Sequence, residues 1–179
     1  AKTEEEAKDE PKMEDAQLVN INGDYSMMIP KHLKTTTELN DQASLQYQDI
    51  YKELYIIVID ESKEEFIKTF KDLDEYDDKK SAERNYREVQ MKTMAEKLTI
   101  ETTPEVKKAN IGGLESEIVD FIGMSEGIAE KIYYKFAFID GKDNMYMVMA
   151  WTLASNKDKN SEEMDAMLNS FKLQEAAKK

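Results

Sequence analysis

Two apolar, aromatic-rich runs, residues 131–139 and 145–153, flank Asp140-Gly141-Lys142-Asp143-Asn144. Asp-Gly supplies residue types that tolerate positive φ, so the pattern predicts a β-hairpin with a short loop. In the second run Tyr146, Val148 and Ala150 fall on one side, and Met147, Met149 and Trp151 on the other. A strand apolar on both faces belongs in the middle of a sheet that is covered on both sides. Residues 54–59, Leu-Tyr-Ile-Ile-Val-Ile, form a second continuous run and predict another buried strand. Residues 43–48 alternate instead, with Ala43, Leu45 and Tyr47 on one face of a half-buried strand, and residues 49–53 turn the chain.

Shorter strands are expected at residues 17–21 and 25–29, joined by the turn Asn22-Gly23-Asp24 and stopped at Pro30. A polar connection with three consecutive threonines spans residues 31–42. The period then changes to helical. Ser62 and Glu65 have capping-box spacing, and Phe66, Ile67, Phe70 and Leu73 make one apolar face. An acidic stretch, residues 72–78, ends that helix. A second helix is expected from Ser81 to Leu98, with Tyr86, Val89, Met94 and Leu98 inward, closed by Thr102-Thr103-Pro104. Residues 109–113 lead into a strand at 114–122, and Gly123 to Gly127 reads as a turn into the central hairpin. After it, Asn160 and Glu163 are expected to cap a last helix, whose Met164, Met167, Leu168 and Phe171 fall at i, i+3, i+4 and i+7.

The order of elements is strands, two helices, strands, one helix. It predicts an α+β fold, a three-layer α/β/α sandwich with a largely antiparallel central sheet. Length supports one domain: 179 residues bury a substantial core without staples. That domain is expected over residues 17–175. Residues 1–16, nearly all charged or small, read as a flexible acidic tether, and residues 176–179 as a frayed tail.

Charge removes several functions. The net charge of −13 argues against nucleic acid and against electrostatic attraction to anionic lipid. With no cysteine there is no disulfide, thiolate chemistry or iron–sulfur cluster. No run has the length of a membrane span, and no signal peptide is read in the chain. A start at Ala1 rather than Met leaves room for an upstream segment removed from the mature chain.

The stretches DYSMMIPKHL, NDQASLQYQD and LYIIVIDES, between Asp24 and Ser62, resemble the opening of the Mog1/PsbP-like fold. There a strand ending in proline is followed by paired strands and a crossover helix. The end of the chain, IYYKFAFIDGKDNMYMVMAWT and then MLNSFKL, resembles the closing hairpin and helix of the same superfamily. Together they cover most of residues 24–173. The likeness is greatest to its small secreted proteins and lipoproteins of unassigned function. In such lipoproteins an acidic, lysine-containing tether follows an acylated cysteine, which implies an extracytoplasmic place for this chain, with membrane contact only through an upstream lipid anchor. Named members differ in function: one assists a photosynthetic oxygen-evolving complex and another binds a small nuclear GTPase. No residue-level motif of either occurs here, so those functions do not transfer.

Candidate chemistry is sparse. Gly123-Met124-Ser125-Glu126-Gly127 matches G-x-S-x-G, but a nucleophile elbow needs a helix behind the serine and a histidine after it. The sole histidine, His32, lies far upstream and is expected on the surface. Asp72, Asp74 and Glu83 fit positions one, three and twelve of a calcium loop, while Tyr76 and Asp77 spoil positions five and six. Met145, Met147 and Met149 could offer thioethers to Cu(I), but in a central strand they read as core. Gly112-Gly113 lacks the Lys-Ser/Thr of a phosphate loop. No catalytic, cofactor-binding or metal residue is therefore assigned, and no cofactor.

The leading expectation is a noncatalytic extracytoplasmic module that binds an unknown protein or other ligand through a sheet edge or loop. A cytosolic enzyme or assembly factor with an unrecognised site and a calcium-responsive protein stand as alternatives. Covered central strands place recognition at three rims: residues 31–42, 72–80 and 123–127.

Overall fold

The computed structural model describes Met13 and residues 15–174. Most of the expected tether and all of the expected tail lie outside these residues. In chain order, β1 (Ala16–Ile21) and β2 (Tyr25–Pro30) form a hairpin, and β3 (Lys34–Thr35) is a short edge strand. Next come β4 (Leu45–Asp49), β5 (Leu54–Ser62), α1 (Lys63–Asp72) and α2 (Ala82–Lys97). They are followed by β6 (Leu98–Ile100), β7 (Glu105–Ile111), β8 (Leu114–Ser125), β9 (Ile132–Asp140) and β10 (Asn144–Leu153). The chain closes with a 3₁₀ turn, α3 (Lys157–Asn169) and β11 (Lys172–Leu173). Every pairing is antiparallel, and the main sheet has eight strands in the order β3-β4-β5-β10-β9-β8-β6, with β7 also pairing β8.

The expected hairpin sits at the centre of the sheet, because β10 pairs with β5 on one side and β9 on the other. Its two faces feed two cores. Tyr146, Val148 and Ala150 join Ile56, Val58 and Ala137 under a layer made of α3 and the small sheet β1-β2-β11. Met145, Met147 and Met149 join Phe136, Phe138 and Ile57 beneath α1 and α2. The methionine stripe is thus filler between sheet and helices, as flexible apolar side chains commonly are.

The helix signals resolve unevenly. Ser62 caps α1 and its Oγ accepts from Glu65 N–H. Leu73 does not join the α1 face: it stands one residue past the helix and is 60% exposed. The helix α3 begins at Lys157, so Asn160 is not a cap but a buried residue inside the first turns. Gly123 to Ser125 is not a turn either. These residues extend β8 and pair with Leu98–Ile100. Four strands, β3, β6, β7 and β11, go beyond what the hydropathy pattern indicates. The edge strand β7 is exposed along most of its length, so it shows no apolar face to read.

Candidate functional site

At one end of the sheet the connection after β2, the β4–β5 turn and α3 meet around His32. Its Nδ1 lies 2.7 Å from Asp49 Oδ2 and its Nε2 lies 2.6 Å from Glu163 Oε2. His32 is therefore not a free surface histidine but a bridge across three elements far apart in sequence. Each ring nitrogen thus faces a carboxylate oxygen able to accept a hydrogen bond. Glu163 also faces Lys52 Nζ at 3.7 Å.

The cluster fixes the β4–β5 turn. Asp49 Oδ1 accepts from the N–H groups of Tyr51 and Lys52, both at 3.0 Å. Asn160 Nδ2 donates to the Lys52 carbonyl at 3.0 Å and to Thr152 Oγ1 at 2.9 Å. Asn160 and Thr152 are buried, so a polar amide has been sequestered in the core to hold this turn. Glu53 completes it at φ 51°, a left-handed conformation uncommon outside glycine. The Glu53 carboxylate accepts from Tyr55 O–H at 2.7 Å. Burial first, and then that carboxylate, push the Tyr55 phenol up to about 12. Tyr55 in turn stacks on Trp151.

On this locked turn stand two apolar side chains with no cover: Tyr51 is 95% exposed and Ile50 56%. The hydropathy pattern marks residues 49–53 only as a turn. The signal is nonetheless present, because turns favour Gly, Pro, Asn, Asp and Ser, and an Ile-Tyr pair has no local conformational reason to be there.

Asp49 is only 10% exposed at its side chain. Burial works to raise its carboxyl, but the Lys52 N–H, His32 and the Tyr51 N–H outweigh it and hold the group below the usual carboxylate value. A depressed folded value stabilises the protein above the unfolded carboxyl pKa of about 3.9, and the contribution is lost as pH falls through the folded value. His32→Leu is expected to cost about 2–3 kcal/mol at pH 7, the loss of hydrogen bonds to carboxylates. The difference from wild type should shrink below about pH 4. Urea unfolding at pH 7 and pH 3 checks this; an equal loss at both would show that Asp49 does not depend on the ring.

The remaining candidates do not assemble. Ser125 lies in β8, no helix follows it, and both ring nitrogens of His32 are engaged elsewhere. The acids of residues 72–78 do not converge on one point, and three of them have partners of their own. Glu75 faces Lys92 Nζ, Asp78 pairs with Lys71, and Asp77 Oδ1 accepts from Lys79 N–H. Among the described residues no set of three or more His, Asp or Glu side chains is placed to hold a metal ion. His32, Asp49 and Glu163 do not form such a set, because the carboxylates address different nitrogens of one ring. A groove of about 780 Å³ runs between α1 and the β9–β10 turn, lined by Lys63, Lys68, Lys71 and Lys142 against Glu64, Asp72 and Asp143. Two of these lysines are neutralised, Lys63 by Asp140 and Lys71 by Asp78. No helix among the described residues is long and apolar enough to cross a membrane.

No protein-family model matches the chain, and no curated protein matches its sequence. Solved structures do. The Ran-binding protein Mog1p of Saccharomyces cerevisiae superposes with a TM-score of 0.56 at 12% identity, over 92% of this chain and 97% of its own. The cyanobacterial PsbP of Synechocystis matches with a TM-score of 0.54 at 9% identity, over 89% of this chain and 92% of its own. LpqN of Mycobacterium tuberculosis, which is involved in cell envelope biogenesis, matches with a TM-score of 0.52 at 10% identity, over 89% and 91%. At these identities the likeness is one of fold: the chain has the Mog1/PsbP-like α+β fold.

Proposed function

We propose that this Mog1/PsbP-like chain is a noncatalytic binding module that works outside the cytoplasm, tethered by its acidic N-terminal segment, and recognises a protein partner. One observation carries the reading. The polar groups that come together do so to hold backbone in place. His32 spends both nitrogens on Asp49 and Glu163, and Asn160 spends its amide on Thr152 and the Lys52 carbonyl. An acid–base catalyst needs a group within reach of a substrate proton. A module that presents a rigid surface needs what is found at this end of the sheet. Two fold relatives lend support by analogy alone: Mog1p binds a protein and LpqN serves the cell envelope.

The test is fractionation of the native cell, followed by gentle extraction and size-exclusion chromatography of the full-length protein. Recovery from the envelope or the medium in a complex of fixed stoichiometry is expected. Recovery from the cytosol, or as a free monomer at every concentration tried, would overturn the proposal.

A further inference from the structure

We propose that Asn22 is a modification site of this chain: its side-chain amide is lost to the peptide nitrogen of Gly23, and the isoaspartate that results unlatches Asp24 from the core. The site lies away from the β4–β5 turn and does not depend on the binding-module reading. Asn22 is the one asparagine in the chain followed by glycine, and any other residue there would shield the attacking nitrogen with its side chain. Asn22 stands at φ 50° and Gly23 at φ 68° on the turn between β1 and β2, and both are exposed. Asparagine tolerates that left-handed conformation, which places it at the tip of the hairpin. A Cβ built on Gly23 would meet nothing within 4 Å, so the tip stands in open solvent. Among the described residues no backbone carbonyl accepts from Gly23 N–H. The turn is closed by the hydrogen bond from Asp24 N–H to the Ile21 carbonyl at 2.8 Å, and β1 has β2 as its one neighbour in the small sheet. A solvent-facing hairpin end of this kind opens locally at low cost, which gives Asn22 the backbone freedom that ring closure requires.

Water is the only co-reactant. The Gly23 nitrogen loses its proton to solvent and bonds to Asn22 Cγ. The Cγ–Nδ2 bond breaks, and the amide group takes up a proton and leaves as ammonia. The succinimide ring then adds water at one of its two carbonyl carbons. Opening at Cγ gives aspartate. Opening at the main-chain carbonyl gives isoaspartate, in which the chain runs through Cβ. Asp140-Gly141 is open to the same ring closure in principle, with water as its leaving group, but it is shielded. Gly141 is buried and its N–H donates to the Asn144 carbonyl at 2.9 Å. The Asp140 carboxylate is held by Lys63 Nζ at 2.8 Å and by Lys142 N–H at 3.0 Å. At the β1–β2 turn the added methylene shifts Asp24, two residues on. Asp24 donates its N–H to Ile21, its carbonyl accepts from Gln174 N–H at 2.8 Å, and its carboxylate accepts from Tyr146 O–H at 2.7 Å. Tyr146 is buried against Tyr25 and Phe171, so a displaced Asp24 leaves a core phenol without that acceptor.

The test holds the purified full-length protein at pH 6 and pH 8, folded and in urea. Peptide mapping follows every asparagine and Asp140, with electron-transfer fragmentation to tell isoaspartate from aspartate. In the folded protein, conversion at Asn22 is expected at least tenfold above any other asparagine and above Asp140. It should be faster at pH 8, because the attacking nitrogen must lose its proton. Asp140 should convert in urea and not in the folded chain. Asn22→Gly keeps a residue suited to the left-handed turn without the amide, and should abolish the signal there. The isoaspartate form, separated by chromatography, should melt below fresh wild type and below fresh Asn22→Asp, which carries the charge without the added methylene. Conversion at Asn22 only in urea, or no faster than at the other asparagines of the folded protein, would overturn the assignment. An isoaspartate form that melts with Asn22→Asp would overturn the unlatching of Asp24.

Discussion

Arg87→Met is expected to lower the free energy of unfolding by about 3–5 kcal/mol, the usual cost of removing one partner from a buried ion pair. Arg87 reaches from α2 to β8, where its Nε lies 2.6 Å from Glu117 Oε1. The two side chains are 16% and 6% exposed. Glu117 stands opposite Phe138, in the layer that Val119 and Phe121 otherwise keep apolar. Without the guanidinium that carboxylate is left in a low-dielectric layer with no compensating charge. The double variant Arg87→Met, Glu117→Leu should regain most of the loss, since an apolar pair of similar volume removes the desolvation penalty along with the attraction. Urea unfolding of the wild type, both single variants and the double variant measures the coupling. A loss below about 1 kcal/mol in Arg87→Met would mean that water reaches Glu117 and the pair is in effect a surface one.

The pair also shows where periodicity misleads. Along α2 the apolar stripe is broad, because Glu83 and Arg87 lie among the inward positions, and Arg87 is acceptable there only through its partner on another element. The central hairpin was legible because both its faces are buried, and the α1 cap because its two residues are local to each other. The strand β7 was not. Its residues Lys107, Lys108 and Asn110 suit an edge with one neighbour, which is a property of the sheet and not of the segment. The better signal was the turn. Gly112 and Gly113, at φ 57° and 82°, join β7 to β8 in a two-residue hairpin, and a Gly-Gly pair between short runs is a strong hairpin signature. At the candidate site the residues themselves were visible but their meeting was not. His32, Asp49 and Glu163 come together only through the tertiary fold, across 131 positions for the His32–Glu163 contact. Nothing in a polar loop with one histidine announces that both its nitrogens will be taken.

The hairpin loop yields the second large effect. Gly141→Ala should cost about 3 kcal/mol, at the upper end of what overpacking a fixed core does. Hairpin chemistry points to Gly141 as the position needing positive φ. In the structure that conformation falls on Lys142, at φ 73°. Glycine is required at 141 for space: a Cβ there would lie 2.7 Å from the Asn144 carbonyl oxygen and 2.8 Å from Tyr146 Cδ2. The Tyr146 ring cannot swing aside. It is 1% exposed, packs on Tyr25 and Phe171, and its hydroxyl donates to Asp24 Oδ2 at 2.7 Å. An added methyl group must therefore push the ring into the core shared with the small sheet or break the loop bond from Gly141 N–H to Asn144 O. Lys142→Gly, one residue on, should stay within about 1 kcal/mol of wild type, because relief of the left-handed strain and the added unfolded-state entropy offset each other. Thermal and urea unfolding of the two variants distinguish space from conformation as the reason for the glycine. If Lys142→Gly changed stability more than Gly141→Ala, strain at 142 rather than the ring of Tyr146 would control the loop.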